Sequence, residues 1–249
     1  MITVLRSEWI KLRSVRSTGL ALGGTVLSGV ALSVLGVSDV LGGPAAQLPP
    51  DWDPTATSLK GFLFAQLVIG MFGASAMTSE YGTGTITTSL AVVPARSRVL
   101  AAKVLIVAGG ALIAALVTTL LSFGVVQALL AAADLPAAHL NDAAVVRALV
   151  GAMMYLTTVS VLGLAIGTLT RSTAGALAVL VGVLLLVPAV GGSLGDWFAR
   201  YWPATAGQSV YAVVRTNDTI PPWGGFSILA IAALSAVIAA QVTLTRRDV

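Results

Sequence analysis

The sequence predicts an all-α, polytopic membrane protein with six transmembrane helices, and three observations carry that prediction. Of 249 residues, 57% are hydrophobic and only 10% are charged, against roughly 25% charged in a soluble domain. The mean hydropathy is +0.94. Charges then divide the chain into six uncharged stretches: residues 17–38, 61–79, 104–133, 148–170, 172–195 and 219–245. About 20 helical residues cross a hydrocarbon core of roughly 30 Å, and each stretch allows that.

Taken in order, residues 1–16 read as a helix on the membrane surface. Ile2, Leu5, Trp9 and Leu12 recur every three or four residues, with Arg6, Lys11 and Arg13 beside them. Such a stripe lies in the headgroups while its cations meet anionic lipid. A basic tail that only sets topology is the alternative. The first apolar run follows basic residues, as in a signal peptide. It exceeds the roughly 7–15 apolar residues of a cleaved one, so a retained span is expected. In the next loop, GGPAAQLPPDWDP, four prolines exclude a long helix. The third stretch is the longest and must tilt or project from the membrane.

The fifth stretch contains Pro188, followed by Gly191 and Gly192. A proline deletes one helix hydrogen bond, and in lipid the freed carbonyl needs another partner. This span is expected to bend or break near its outer end. The aromatic, amphiphilic segment 196–218 reads as dipping partway into the membrane, or else as an ordinary outer loop. Pro221 and Pro222 suit a helix start, so the sixth span should begin near Trp223. Gly19–Gly23 and Gly163–Gly167 have the small-x-x-x-small spacing that lets helices approach closely. No repeat or soluble extension interrupts this pattern, and residues 1–249 read as a single transmembrane domain.

Charge distribution predicts the orientation. Arg6, Lys11, Arg13, Arg16, Arg96, Arg98, Lys103, Arg171, Arg246 and Arg247 fall on one side, ten of the 14 basic residues. Lys60, Arg147, Arg200 and Arg215 fall on the other. The positive-inside rule places both termini in the cytoplasm of a plasma (inner) membrane protein. Trp52, Trp197, Tyr201, Trp202 and Trp223 then lie at the outer boundary, where aromatic belts form, and Trp9 and Tyr81 at the inner one.

Composition also excludes chemistries. There is no cysteine, and His139 is the only histidine, so thiolate sites and multi-histidine zinc sites are impossible. The three lysines, Lys11, Lys60 and Lys103, never follow glycine, so the chain has no phosphate-binding P-loop and cannot itself be a P-loop ATPase. No spacing brings His139 to a serine such as Ser193. The basic residues cluster at the ends of apolar segments, a membrane pattern and not a nucleic-acid surface. Inside the spans no residue is charged, which disfavours an ion-coupled carrier. A transporter of this composition needs an external engine.

The longest loop on the basic side reads MTSEYGTGTITTSLAVVPARSRVLAAK. Glu80 closes the second span, where a carboxylate opposes the helix dipole and calls for a neighbouring cation or a partner protein. Gly82 and Gly84 can end that helix in left-handed conformations. The next residues suffice for about two helical turns before Pro94 breaks the piece.

This string resembles the coupling loop of ABC transporter permeases of the type-2 exporter family. In that pattern an acid closing span 2 is followed by a Gly-Thr pair, a short helix ending at proline, and basic residues opening span 3. Glu80, Gly84 and Thr85, the segment 87–93 with Thr87, Thr88 and Leu90, then Pro94, Arg96, Arg98 and Lys103 occupy those positions. Residues 7–14, SEWIKLRS, are similar to the family's opening surface helix. Tyr81 departs from the pattern, standing where a charged residue is common.

The resemblance implies a type-2 exporter permease fold and a division of labour. A separate ATPase chain would bind ATP and Mg, with no cofactor or metal on this chain. The loop 80–103 would couple the two, with Glu80 at its hinge. A second permease copy, identical or related, would complete a pathway drawn mainly from spans 2 and 5. Phe62, Phe64, Gln66, Met71, Phe72 and Pro188 are the candidate pathway residues, suited to hydrophobic or amphipathic cargo. An ion-driven carrier or channel, and a non-transporting assembly or sensor subunit, remain the alternatives.

Overall fold

A computed structural model describes residues 2–14, 16–43, 48–49, 51–85, 96–214 and 220–246. Helix α1 (Ile2–Ser14) precedes α2 (Arg16–Leu41), a short α3 (Pro54–Ser58), α4 (Phe62–Gly82), α5 (Arg96–Ala132) and α6 (Ala143–Thr170). Helix α7 (Thr173–Val181), a π-helical turn (Gly182–Leu186) and α8 (Val187–Leu194) together make a fifth long element. Two short helices, α9 (Asp196–Tyr201) and α10 (Pro203–Gln208), lead through a 3₁₀ turn to α11 (Pro222–Arg246). Among the described residues, six elements are long and apolar enough to cross a membrane: α2, α4, α5, α6, the run Thr173–Leu194 and α11. These are the six the charges delimit. Helix α1, the start of α5 and the end of α11 share one end of the bundle, termed basal here, and Arg96 donates to the Leu244 carbonyl there.

Helix α4 lies at the centre because it is faced with small residues. It packs on α6 through glycines of both helices. A Cβ on Gly73 would stand 1.9 Å from the Ser160 carbonyl oxygen, and one on Gly163 2.0 Å from that of Gly70. Gly167 meets Ala74 in the same way, at 2.6 Å. The Gly163–Gly167 pair is therefore a close helix crossing. Gly19 and Gly23 have the same spacing but nothing within 4 Å. Helix α2 instead turns Thr25, Gly29, Ser33 and Val37 inward, one helical face at four-residue spacing.

At 37 residues, α5 is the longest helix, about 55 Å at 1.5 Å per residue. It begins at Arg96, two turns before the uncharged stretch, and so carries Lys103 into its buried face, 3% exposed. The charge pattern places Lys103 at a span boundary; the helix extends beyond it to Arg96 because nothing between Arg96 and Lys103 breaks a helix.

The fifth span carries its defect earlier than the Pro188-Gly191-Gly192 pattern suggests. The helix runs through Pro188 to Leu194 and stops at Gly195, whose φ is +124°. The irregularity is the π turn one turn before the proline. Pro188 has no N–H for the Leu184 carbonyl, and the Val187 N–H reaches back to Gly182 instead of Val183. Both displaced carbonyls are met by side chains. The Trp202 indole donates to Val183 O at 2.8 Å, and Gln66 Nε2 to Leu184 O at 3.4 Å. Gln66 in turn accepts the Tyr155 hydroxyl.

The segment after Gly195 folds into the far, apical end of the bundle. Ala204, Ala206, Gly207 and Val210 are buried. The Tyr211 ring stands edge-on to Tyr155 at 5.5 Å and to Phe62 at 5.9 Å. Tyr155 lies three turns into α6, about 18 Å along its axis. Arg147 donates to the carbonyls of Val210 and Ala212 at 2.9 and 2.7 Å, and Asp53 accepts from the amides of Val213 and Val214 at 2.6 and 2.9 Å. Asp53 also caps α3 through the amides of Thr55 and Ala56.

The seam predicts an asymmetry between glycines of identical spacing. Gly73→Ala and Gly163→Ala should each destabilise the chain by roughly 1–3 kcal/mol, the usual cost of overpacking. Gly19→Ala and Gly23→Ala should leave stability unchanged. Midpoints of denaturation of the four variants in detergent check this.

Candidate functional site

The last turn of α4 gathers the sequence-predicted loop residues and three other charges. Glu80 is 8% exposed and Glu8, on α1, 7% exposed. Lys103 lies between them, its Nζ 2.7 Å from Glu80 Oε1 and 2.7 Å from Glu8 Oε2. It also donates to the Ala76 carbonyl at 3.2 Å. Lys11 closes the ring from outside, 2.9 Å from Glu8 Oε1 and 3.0 Å from Glu80 Oε1. Two carboxylates and two ammonium groups thus cancel at the meeting point of α1, α4 and α5. Glu80 Oε2 is buried with no hydrogen-bond partner. Removing one member of such a set leaves a buried charge uncompensated, typically at a cost of about 3–5 kcal/mol.

The sequence assigns α1 an apolar stripe for the headgroups; the structure shows which side of the helix packs on the bundle. The side turned to the bundle carries Glu8, with Leu5 and Leu12 half-buried beside it. Trp9 and its neighbour Ile10 are exposed, by 45% and 57%. The Ile2 side chain lies outside the described residues. A charged residue holds the packed face because Lys103 is buried opposite it.

Around Glu80, Tyr81 turns the other way. The Arg171 guanidinium lies over its ring, 5.2 Å from the centroid, a cation–π contact where the family pattern would carry a charge. Arg171 sits in the left-handed region, φ +55°, at the link between α6 and α7. Thr173 and Thr78 join across the same junction at 3.0 Å. Of the two glycines expected to be left-handed, only Gly84 is, with φ +70°. Gly82 is instead the last residue of α4, and Thr83 caps it by donating to Ser79 and Tyr81 carbonyls. Thr85 and Arg98 are exposed and Arg96 is half-buried. Thr87, Thr88, Leu90 and Pro94 lie outside the described residues.

The candidate pathway residues do not share a face. Phe62, Gln66 and Phe72 are buried within the subunit, while Phe64 is 46% exposed. Met71 and Pro188 are half-buried. Sequence reading missed Glu8 as a member of the site. Its signal was that it is the one acid among the basic residues of 1–16.

Burial would raise the Glu8 pKa, but the charge of Lys103 and hydrogen bonds from Lys103 and Lys11 outweigh it, and the carboxyl is held below its ordinary 4.5. For Lys11, burial would lower the value, but hydrogen bonds to Glu8 and Glu80 and their charges hold it above 10.5. A lowered carboxyl contributes stability that is present above its unfolded value and lost as pH falls through the folded one. A raised amine contributes stability that is present below its unfolded value and lost as pH rises through the folded one.

A family model described as ABC-2 family transporter protein matches residues 4–189. Among curated proteins, no match is found. The matched region contains every residue of the charge ring and stops just past Pro188.

The ring predicts a pH window for the docking of α1. The chain has no cysteine, so a nitroxide on Ser7→Cys reports α1 alone. Its motion should be restricted at neutral pH and become free as pH falls through the Glu8 value, below 4.5, or rises through the Lys11 value, above 10.5. In Lys103→Met it should already be free at pH 7.

Proposed function

The chain belongs to the ABC-2 transporter family, and from that premise we propose that it is the membrane-spanning permease subunit of an ATP-driven ABC exporter. It sits in the plasma membrane with both termini cytoplasmic, so the basal end faces the ATPase. A separate ATPase chain binds ATP and Mg, and the loop leaving α4 engages it. The pathway forms between two permease copies. The outward apolar faces of α2, α4 and the fifth span, such as Leu20, Leu27, Phe64 and Leu186, meet lipid or the second copy. The cargo is hydrophobic or amphipathic. The described part of the outer segment, residues 196–214, re-enters the outer leaflet, in keeping with Tyr211 reaching Tyr155.

The observation that carries the proposal is the charge ring at the root of the loop. The loop leaves α4 three residues after Glu80 and returns into α5, which Lys103 ties to the same carboxylate. A displacement of the loop by a partner therefore acts on α4, α5 and α1 at one point. Glu80 Oε2 has no partner in this arrangement, so the carboxylate has capacity to exchange contacts when the hinge moves.

Gentle purification of the chain from its native membrane tests the reading. A stoichiometric P-loop ATPase should accompany it, and Thr87→Asp with Leu90→Asp should release that ATPase. Glu80→Ala should keep the ATPase bound but abolish the coupling of hydrolysis to export. Absence of an ATPase even after crosslinking would overturn the proposal in favour of a carrier, and unchanged export in Glu80→Ala would remove Glu80 from the hinge.

A further inference from the structure

A cleft of about 950 Å³ lies at the apical end, and the proposed coupling makes no use of it. Its wall includes Asp196, Trp197, Arg200, Tyr201 and Thr205. Arg200 Nε and Thr205 Oγ1 are buried polar atoms with no hydrogen-bond partner. A buried donor left unmatched costs free energy, and two on one cleft wall favour a ligand bearing an acceptor. Asp196 stands four residues before Arg200 on α9, one helical turn away on the same face. Neither side chain is ion-paired among the described residues. Among the described residues, the cleft thus presents one cation and one anion about 5–6 Å apart at their Cβ atoms. Trp197 and Tyr201, with ring centroids 5.4 Å apart, form an aromatic wall beside them.

We propose that this cleft binds the zwitterionic headgroup of a phosphoethanolamine lipid, with its phosphate on Thr205 and on Arg200, whose guanidinium lies 5.9 Å from the Tyr201 ring centroid, and its ammonium on Asp196 and the Trp197 ring. The charges match in sign, number and separation, because two carbons part the phosphate oxygen from the ammonium nitrogen in that headgroup. Aromatic faces attract ammonium groups, and a guanidinium with hydroxyl support suits phosphate. A lipid is the source because the cleft adjoins a span with an outward apolar stripe. Leu186, Val190 and Leu194 recur once per turn on α8 and its approach, 59%, 52% and 62% exposed. Helix α9 folds back on that span, where a Cβ on Gly191 would stand 3.3 Å from Ala199. This site is independent of the ATPase partnership and stands whether or not that reading survives.

Native mass spectrometry of the full chain, released from detergent after incubation with single lipids, tests the assignment. Phosphatidylethanolamine should be retained at least tenfold better than diacylglycerol with the same acyl chains. Arg200→Gln should abolish that advantage. Asp196→Asn should remove only the preference for phosphatidylethanolamine over phosphatidylglycerol. Gel filtration shows whether the variants fold; should Arg200→Gln fail, Thr205→Val takes its place, with a several-fold loss expected. Equal retention of diacylglycerol, or wild-type retention by a folded Arg200→Gln, overturns the site. Displacement of the lipid by free phosphoethanolamine at equal concentration overturns the lipid source in favour of a soluble ligand.

Discussion

A carboxylate at the C-terminal end of a buried helix is opposed twice, by the helix dipole and by the loss of water. Glu80 occupies that position, and the basal half of the molecule is arranged to hold it. Lys103 supplies the opposite charge, and it can do so only because α5 continues two turns beyond its uncharged stretch. The surplus cation contact that Lys103 offers is then taken by Glu8, which draws α1 onto the bundle. One pairing thereby fixes the position of the first helix, the register of the third span against the second, and the place from which the loop departs.

The apical half obeys the complementary constraint, that lipid offers backbone groups no partner. Pro188 would strand a carbonyl in the fifth span, and the π turn strands a second. Gln66 from α4 and Trp202 from the segment beyond Gly195 meet them. The irregular span is therefore tied to a neighbouring helix on one side and to its own continuation on the other. Gln66, Gln127 and Tyr155 spend their polar groups on backbone repair and helix contact, whereas the hydroxyls of Thr119, Ser122 and Ser160 are buried without a hydrogen-bond partner.

The six spans were legible because charge excludes a residue from hydrocarbon at a cost that no local packing cancels, and the family was legible in the order of Glu80, Gly84, Thr85, Pro94 and the following basic residues. The site's interior was not. Lys103 looked like a boundary residue because a linear pattern cannot say that two acids from elsewhere will neutralise it. Gly163–Gly167 and Gly19–Gly23 were indistinguishable as patterns, since spacing describes one helix and a crossing needs two. Gly82 and Gly84 were equally eligible for a left-handed turn, and the chain uses only the second in that way, Gly82 closing α4 in a helical conformation. The defect in the fifth span fell a turn early because a proline acts on the carbonyls before it.

The backbone contact of α4 with α6 has a mechanical meaning. Where a carbonyl oxygen lies in the place a methyl group would fill, the two helices cannot slip along one another without collision, since a step of one residue is about 1.5 Å. They behave as a single rod. The basal end of that rod holds the loop's root, and its apical end holds Arg147 and Tyr155, which grip the chain between Val210 and Ala212. On the proposed function, load applied at the loop's root would reach the apical segment through this one packed pair of helices rather than through the fifth span, whose helix is interrupted by the π turn.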